Sequence, residues 1–407
     1  MTNTATGSAG ASALRPSIPL TVWMLGIVSL LMDISSEMIN ALLPLYLAGG
    51  LGASALAIGF IEGFSVAVAT VTKFLSGVFA DISRRSKPLA VLGYGLGWLS
   101  RLIFPLAVSL DQIVLAKALD RVGKGIRSTP RDAIIAAVSP PEIRGASFGL
   151  RKSLDTVGGF VGPLVAVGAM ILLAGDIPAV FWFATIPATL CMIVLVFFVR
   201  EPAESREVKR DGFRLADTLR LNRAIWAVIG LASIIMLARF SEAFVLLKAL
   251  EAGFMPAWVP LSLVIMHAAY GLTAFPVGRI SDRIGTSGLL LCSLAFLAAA
   301  HLTLAFAATV WIYILGTVLW GLHMGFSQGL LGAMIADATP DHLKGSAFGA
   351  FNLVTGLVLL LGNTMAGWLW QNAGSASPFQ VGAGLSVMAM LVIALRRRRA
   401  ARHPNSA

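Results

Sequence analysis

The sequence predicts an all-α polytopic membrane protein, with twelve transmembrane helices in two pseudo-symmetric six-helix bundles. Three observations carry this. Apolar residues make up 57% of the 407-residue chain and charged residues only 13%, against roughly 25% charged in a soluble domain. The apolar residues fall in long runs rather than the short alternating segments of a β-barrel. The second half of the chain then repeats features of the first, as two duplicated bundles require.

A helix needs about 20 mostly apolar residues to cross a bilayer. Twelve runs meet that requirement, at residues 20–48, 55–80, 88–108, 110–136, 146–173, 177–199, 224–250, 257–278, 288–308, 310–337, 346–372 and 378–395. Residues 1–19 form a polar N-terminal tail, 20–200 the first bundle, 201–222 a linker, 223–395 the second bundle and 396–407 a basic tail. The linker contains EPAESREVKRDG and is too short to bury a core of its own. The apolar run behind the N-terminal tail soon meets Asp33 and Glu37 and has no A-x-A site after it, which argues against a cleaved signal peptide. Cys191 and Cys292 lie far apart inside apolar runs, so neither a disulfide framework nor a zinc site is expected.

The net charge of +11 follows from the placement of 31 basic residues against 20 acidic ones. Arg15, Arg84, Arg85, Lys87, Arg144, the seven basic residues from Arg200 to Arg223, Arg279, Arg283, Lys344 and the run from Arg396 to Arg402 all fall on one side of twelve alternating spans. Opposite connections such as 49–54 and 374–377 carry none. Basic residues collect in cytoplasmic loops, so both termini are expected in the cytoplasm of a cell whose inner membrane holds the protein. The positive excess is topology, and no nucleic-acid partner is expected.

The two halves match at an offset of 200 residues. Gly125, Ala133, Ile135, Ala136, Pro140, Gly145, Phe148 and Gly149 meet Gly325, Ala333, Ile335, Ala336, Pro340, Gly345, Phe348 and Gly349. The loops read SPPEIRGASFG and TPDHLKGSAFG. Gly77 and Asp81 after span two have counterparts in Gly278 and Asp282 after span eight. Duplicated halves place a solute path at their interface, near the bilayer midplane.

On these motifs the chain resembles a transporter of the major facilitator superfamily over residues 20–395. The family's loop motif G-x-x-x-D-R-x-G-R/K-R/K is matched by Gly77, Asp81, Arg85 and Lys87, with Ile82 and Arg84 departing from it. Gly278, Asp282, Arg283 and Gly285 give a cleaner copy. Arg121 to Gly125 matches the fourth-span R-x-x-x-G, and Gly158, Gly162 and Pro163 match the fifth-span G-x-x-x-G-P. The resemblance implies alternating access between two bundles and a central cavity lined by spans one, four, seven and ten. It also implies latching of the cytoplasmic helix ends by the Asp81 and Asp282 motifs. The fifth-span motif is typical of antiporters that export solutes.

Charges inside spans are costly unless they face protein or water, so they are the candidate functional groups. Span one carries Ser29, Asp33, Ser36, Glu37 and Asn40 on one helix face; span four carries Lys117, Arg121, Lys124, Ser128 and Arg131 on one face. Asp33 and Glu37 face either the cavity or a structural ion pair. Glu37, Glu62 and Asp33 are the candidate proton carriers. Arg121, Lys124, Asn40, Arg239, Glu242, His323 and Gln328 are the candidate cavity residues. Arg131, Asp132, Arg151, Lys152 and Lys248 lie near span ends, where long side chains snorkel, and are set aside. His301 reads as a hydrogen-bonded packing residue. The adjacent pairs His323–Met324 and Met266–His267 invite a copper or nickel reading, but adjacent helical residues do not face one way, and no metal site is expected.

The expected function is secondary active transport of a small solute by alternating access, coupled to protons and directed outward by antiport. The basic stripe on span four favours, as the alternative, an organic anion or phosphate ester as the solute. A phosphate-binding loop G-x-x-x-x-G-K-[ST] is absent, which disfavours an ATP-driven pump. The chain has no H-E-x-x-H and no Cys/His cluster, so an enzyme is not expected. A transport-dead receptor would tolerate loss of the span charges, which are plentiful here. The expected partners are the solute, protons and the lipid bilayer; the protein is expected to act as a monomer without a cofactor.

Overall fold

A computed structural model describes residues 17–82, 86–200, 221–284, 286–327, 330–340 and 343–402, with side chains described except at 74–82, 275, 278–284, 286–287 and 396–402. The first six passes are α1 (Leu20–Leu45), α2 (Ala55–Ile82), α3 (Ser86–Ile103), α4 (Leu110–Val138), α5 (Arg144–Leu172) and α6 (Ile177–Phe198). The seventh is split into α7a (Arg223–Ala238) and α7b (Glu242–Glu251). Then come α8 (Leu261–Ile284), α9 (Thr286–Ala305), a tenth pass made of α10a (Val310–Ser327) and α10b (Leu330–Ala338), α11 (Lys344–Ala373) and α12 (Ser377–Arg402). Twelve passes put residues 17 and 402 on one face, called here the terminal face.

Eleven of these passes are long and apolar enough to cross a membrane. The exception is α4, whose 29 residues include eight charged ones, from Asp111 to Asp132. Its length matches the others, and its Lys117, Asp120 and Asp132 find partners on neighbouring helices.

The packing pattern repeats between the bundles. In the first, α1 packs on α5 and α6, α3 on α4, and α2 on α4. In the second, α7a packs on α11 and α12, α9 on α10a, and α8 on α10a. The two bundles meet through α2 against α11 and α5 against α8, which are equivalent pairs under the same symmetry.

One expected element differs. The seventh span does not run unbroken from 224 to 250. The helix stops at Ala238 and restarts at Glu242. Ser241 caps the restart, its hydroxyl accepting from the Ala243 N–H at 3.2 Å, as serine commonly does at a helix N-terminus. The Ser241 N–H that the break frees donates to Asn363 Oδ1 on α11 at 2.5 Å. Interrupted backbone is stable at membrane depth only where protein supplies such partners.

Candidate functional site

The site begins with two glycines. Gly158 and Gly162 stand one turn apart on α5 and are buried against α1. A Cβ on Gly158 would lie 2.8 Å from the Leu30 carbonyl oxygen and 3.0 Å from Asp33 Cβ. One on Gly162 would lie 2.7 Å from Glu37 Cβ and 2.8 Å from the Ile34 carbonyl oxygen. The small residues therefore let two backbones meet, and they do so where α1 carries its two carboxylates. Gly159, between them, has no atom within 4 Å of its Cβ position and lines the cavity described next.

Beside this junction lies a cavity of about 700 Å³ bounded by α1, α4 and α5, with Tyr94 from α3 and α8 from the other bundle. Asp33 and Glu37 reach it from α1, Lys124, Arg127 and Arg131 from α4, and Lys152 and Asp155 from α5. Some of these charges are neutralised within the protein. Arg151 donates to Asp155 Oδ2 at 2.8 Å; Arg131 pairs with Asp132 at 3.2 Å and donates to Ser29 Oγ at 3.0 Å. Others are not. Among the described residues no carboxylate lies within 4.0 Å of Lys124, Arg127 or Lys152, and no cation lies that close to Asp33 or Glu37. Arg127 instead rests its guanidinium 5.0 Å from the centre of the Tyr94 ring, a cation–π contact. Among the described residues, the α8 wall contributes His267, Tyr270 and Leu272 and no fixed charge.

A polar chain runs from the cavity's edge into the first bundle. Asn40 donates to Glu37 Oε1 at 3.2 Å and accepts from Arg121 at 3.3 Å. Arg121 Nε lies 3.4 Å from Asp120 Oδ2. Asp120 is in turn ion-paired with Arg101, which is only 1% exposed. Arg101 also donates to Ser35 and Ser36 of α1 at 3.3 and 2.5 Å, and to its own helix at the Gly97 carbonyl, 2.8 Å away. Every donor of this buried arginine is directed at an acceptor, the condition under which a charge is tolerated away from water.

On the side away from the terminal face the two bundles are closed against each other. Glu62 on α2 is ion-paired with Lys117 on α4 and accepts from Ser241 Oγ of the second bundle at 3.2 Å. Around it α2 and α11 touch through glycines: a Cβ on Gly63 would meet Leu360 Cα at 2.7 Å, one on Gly59 the Asn363 carbonyl, and one on Gly367 the Ala55 carbonyl. On α1 the cavity begins at mid-depth, at Glu37, and it extends toward the terminal face, where Arg131 and Lys152 lie.

The structure sorts the sequence candidates. Asp33, Glu37 and Lys124 line the cavity. Asn40, Arg121 and Glu62 belong to the adjoining polar chain and seal. Three candidates are not among the cavity's lining residues. His323 is fully buried inside the second bundle, its Nδ1 2.8 Å from Ser293 Oγ, and does not reach the cavity. Arg239 stands in the break of the seventh pass and Glu242 at its restart, and neither is among the residues lining this cavity. Arg131 and Lys152, set aside as snorkelling residues, do line it. His301 packs as expected, its Nε2 3.0 Å from the Ala238 carbonyl. Arg85 and Gln328 lie outside the described residues, as do the surroundings of Gly77, Asp81, Gly278, Asp282 and Arg283. Asp120, Arg127 and Tyr94 were missed. Arg127 is three residues from Lys124 and four from Arg131, a spacing that could have found it.

The sequence model of the Major Facilitator Superfamily matches residues 25–266 and 257–407. An uncharacterized MFS-type transporter of Methanocaldococcus jannaschii is 29% identical over 378 residues, covering 91% of this chain and 94% of that protein. The class B tetracycline resistance protein of Escherichia coli is 32% identical over 117 residues, 29% of either chain. Among solved structures, a peptide transporter POT matches with a TM-score of 0.80 at 14% identity, covering 94% of this chain and 95% of that one, a likeness of fold. Twelve passes in two equivalent bundles, a charged cavity between them and a family match along the chain agree: this protein belongs to the Major Facilitator Superfamily, a transporter and not an enzyme.

Proposed function

We propose that this chain exports a small solute by proton-coupled antiport, as a monomer in a bacterial inner membrane with both termini in the cytoplasm. The observation that carries the reading is the pair Asp33 and Glu37, two carboxylates that face the solute cavity with no cation within 4.0 Å. A structural ion pair would have no need to leave them open. A carboxylate in a cavity that alternates between two aqueous sides can take a proton on one side and release it on the other. Antiport follows if the bundles change sides with either the solute or the proton bound but not with both. The basic loops of the terminal face support the cytoplasmic orientation, and the G-x-x-x-G-P packing that sets both acids against α5 is the family feature associated with export.

The seal around Glu62 supports a cycle in which the present conformation opens toward the terminal face. The opposite conformation requires Ser241 to leave Glu62 and α11 to part from α2. The polar chain through Asn40, Arg121 and Asp120 lies between the acids and that seal, so a change of charge at Glu37 has a physical route to the closed side.

The reading is tested in everted membrane vesicles carrying a respiration-generated pH gradient. Addition of a transported solute should release protons, read as recovery of a pH-sensitive dye. The double variant Asp33→Asn, Glu37→Gln should still bind solute but release no protons. Undiminished proton release from that variant would show that these acids are not the carriers.

A further inference from the structure

Taking the acids of the cavity as proton sites leaves its cations unexplained. The interior of the first bundle holds eight basic groups on α3, α4 and α5: Arg101, Lys117, Arg121, Lys124, Arg127, Arg131, Arg151 and Lys152. It holds six carboxylates, at positions 33, 37, 62, 120, 132 and 155. Internal pairing uses Arg101, Arg121, Lys117, Arg131 and Arg151 on Asp120, Glu62, Asp132 and Asp155. What remains unpaired faces one cavity: three cations, Lys124, Arg127 and Lys152, against Asp33 and Glu37. Lys124 and Lys152 are exposed, but Arg127 is buried; an unbalanced cation held away from bulk water is costly, and a bound anion removes that cost.

The arrangement is also directional. All three free cations belong to the first bundle, while the described residues of the second bundle's wall carry no charge, with Tyr270, Gly271 and Leu272 beside His267. Arg127 is 4% exposed, and its Nη1 has no hydrogen-bond partner. The buried Nδ1 of His267, on the facing wall, has none either. Unpartnered buried polar atoms are rare in native structures and call for an occupant. Their presence on both walls of the same cavity is a second observation, independent of the charge count.

We propose that the solute is an organic anion bearing a carboxylate or phosphate. Its charged group seats on Lys124 and Arg127 of α4, and its uncharged body lies against Tyr270 and Leu272 of α8, with His267 as a hydrogen-bonding partner. The inference rests on the transport reading above and adds the solute's charge and its orientation between the bundles. A solute so placed touches both bundles at once, at opposite ends of one molecule, and so has a different fit in each conformation of the pair.

The test is thermal unfolding of the purified full-length chain in detergent with phenyl phosphate, inorganic phosphate and benzamidine at matched ionic strength. A ligand that binds the folded state raises the unfolding temperature. Phenyl phosphate should raise it, inorganic phosphate should do so more weakly, and benzamidine should not. Lys124→Gln should abolish the phenyl phosphate shift. Asp33→Asn, which keeps Lys124 and removes a repelling charge, should enlarge it, so the proposal stays falsifiable if the lysine variant does not fold. A shift from benzamidine alone, or a phenyl phosphate shift unchanged in both variants, overturns the proposal. Proton release in vesicles separates the two readings. Benzamidine that releases protons in an Asp33-dependent way leaves antiport standing and removes the anion. Phenyl phosphate that binds but releases none does the reverse.

Discussion

Replacing Gly162 by alanine isolates the contact that sets the carboxylates of α1. The added methyl would stand 2.7 Å from Glu37 Cβ and 2.8 Å from the Ile34 carbonyl oxygen, the latter backbone that no rotamer change can move aside. Overpacking of this kind costs about 1–3 kcal/mol. Alanine in a helix interior recovers about 0.5–1 kcal/mol relative to glycine, so the net destabilisation is smaller than the steric cost. Gly168→Ala, on the same helix and not among the cavity-lining residues, supplies the control. Nothing lies within 4 Å of its Cβ position, so it keeps the propensity gain alone. The difference between the two variants is therefore the steric cost itself, about 1–3 kcal/mol. Unfolding equilibria of the two purified proteins measure it. Because relief of the clash moves α1 from α5 at Glu37, Gly162→Ala should also change the pH dependence of transport, and Gly168→Ala should not. Equal stability and equal pH profiles for the two variants would refute the claim that the G-x-x-x-G-P packing positions the acids.

Three further outcomes are expected. Arg101→Met leaves Asp120 buried with only the more distant Arg121, and should destabilise the protein by about 3–5 kcal/mol, as loss of one partner of a buried pair does; Arg101→Met combined with Asp120→Asn should recover part of that loss in the same unfolding measurement. Ser241→Ala removes the 3.2 Å bond to Glu62 between the bundles and the cap of α7b, and leaves the Lys117 ion pair intact; labelling of a cysteine placed at residue 56, beside Gln371, should become faster, and the unfolding free energy should fall by about 0.5–2 kcal/mol. Gly63→Val should act in the same direction more strongly, since its side chain meets Leu360 backbone, and unchanged labelling in both variants would show that this seal does not open during the cycle.

The buried pairs also explain how α4 spans at all. A helix with eight charges is expensive in lipid, yet its groups find Arg101, Glu62 and Arg151 on three neighbouring helices. The second bundle makes no such investment. Its equivalent pass carries Trp320 and His323 among buried apolar residues, and its core is built on aromatic contacts such as Phe240 with Trp320 at 5.7 Å. The charge asymmetry that the 200-residue repeat reveals is thus a division of labour in the fold.

Much was determined by the sequence alone. Runs of apolar residues are read directly because a bilayer demands about 20 of them for each pass, and the duplication is read because equivalent helices keep equivalent glycines. The polar stripes of α1 and α4 were legible for the same reason, since helical spacing fixes which residues share a face. What spacing does not encode is the partner. Asp33 and Glu62 are both span carboxylates; only the packing of α4 and α7b against α2 gives Glu62 to Lys117 and Ser241, while Asp33 stays open to the cavity. His267 and His323 are both histidines in apolar passes, and only the turn of each helix puts one on the cavity and the other against Ser293. The break at 239–241 was hidden because its partner, Asn363, is 122 residues away. A hydrogen bond of that range belongs to the assembled bundles, and so does the decision about which charges are free to act.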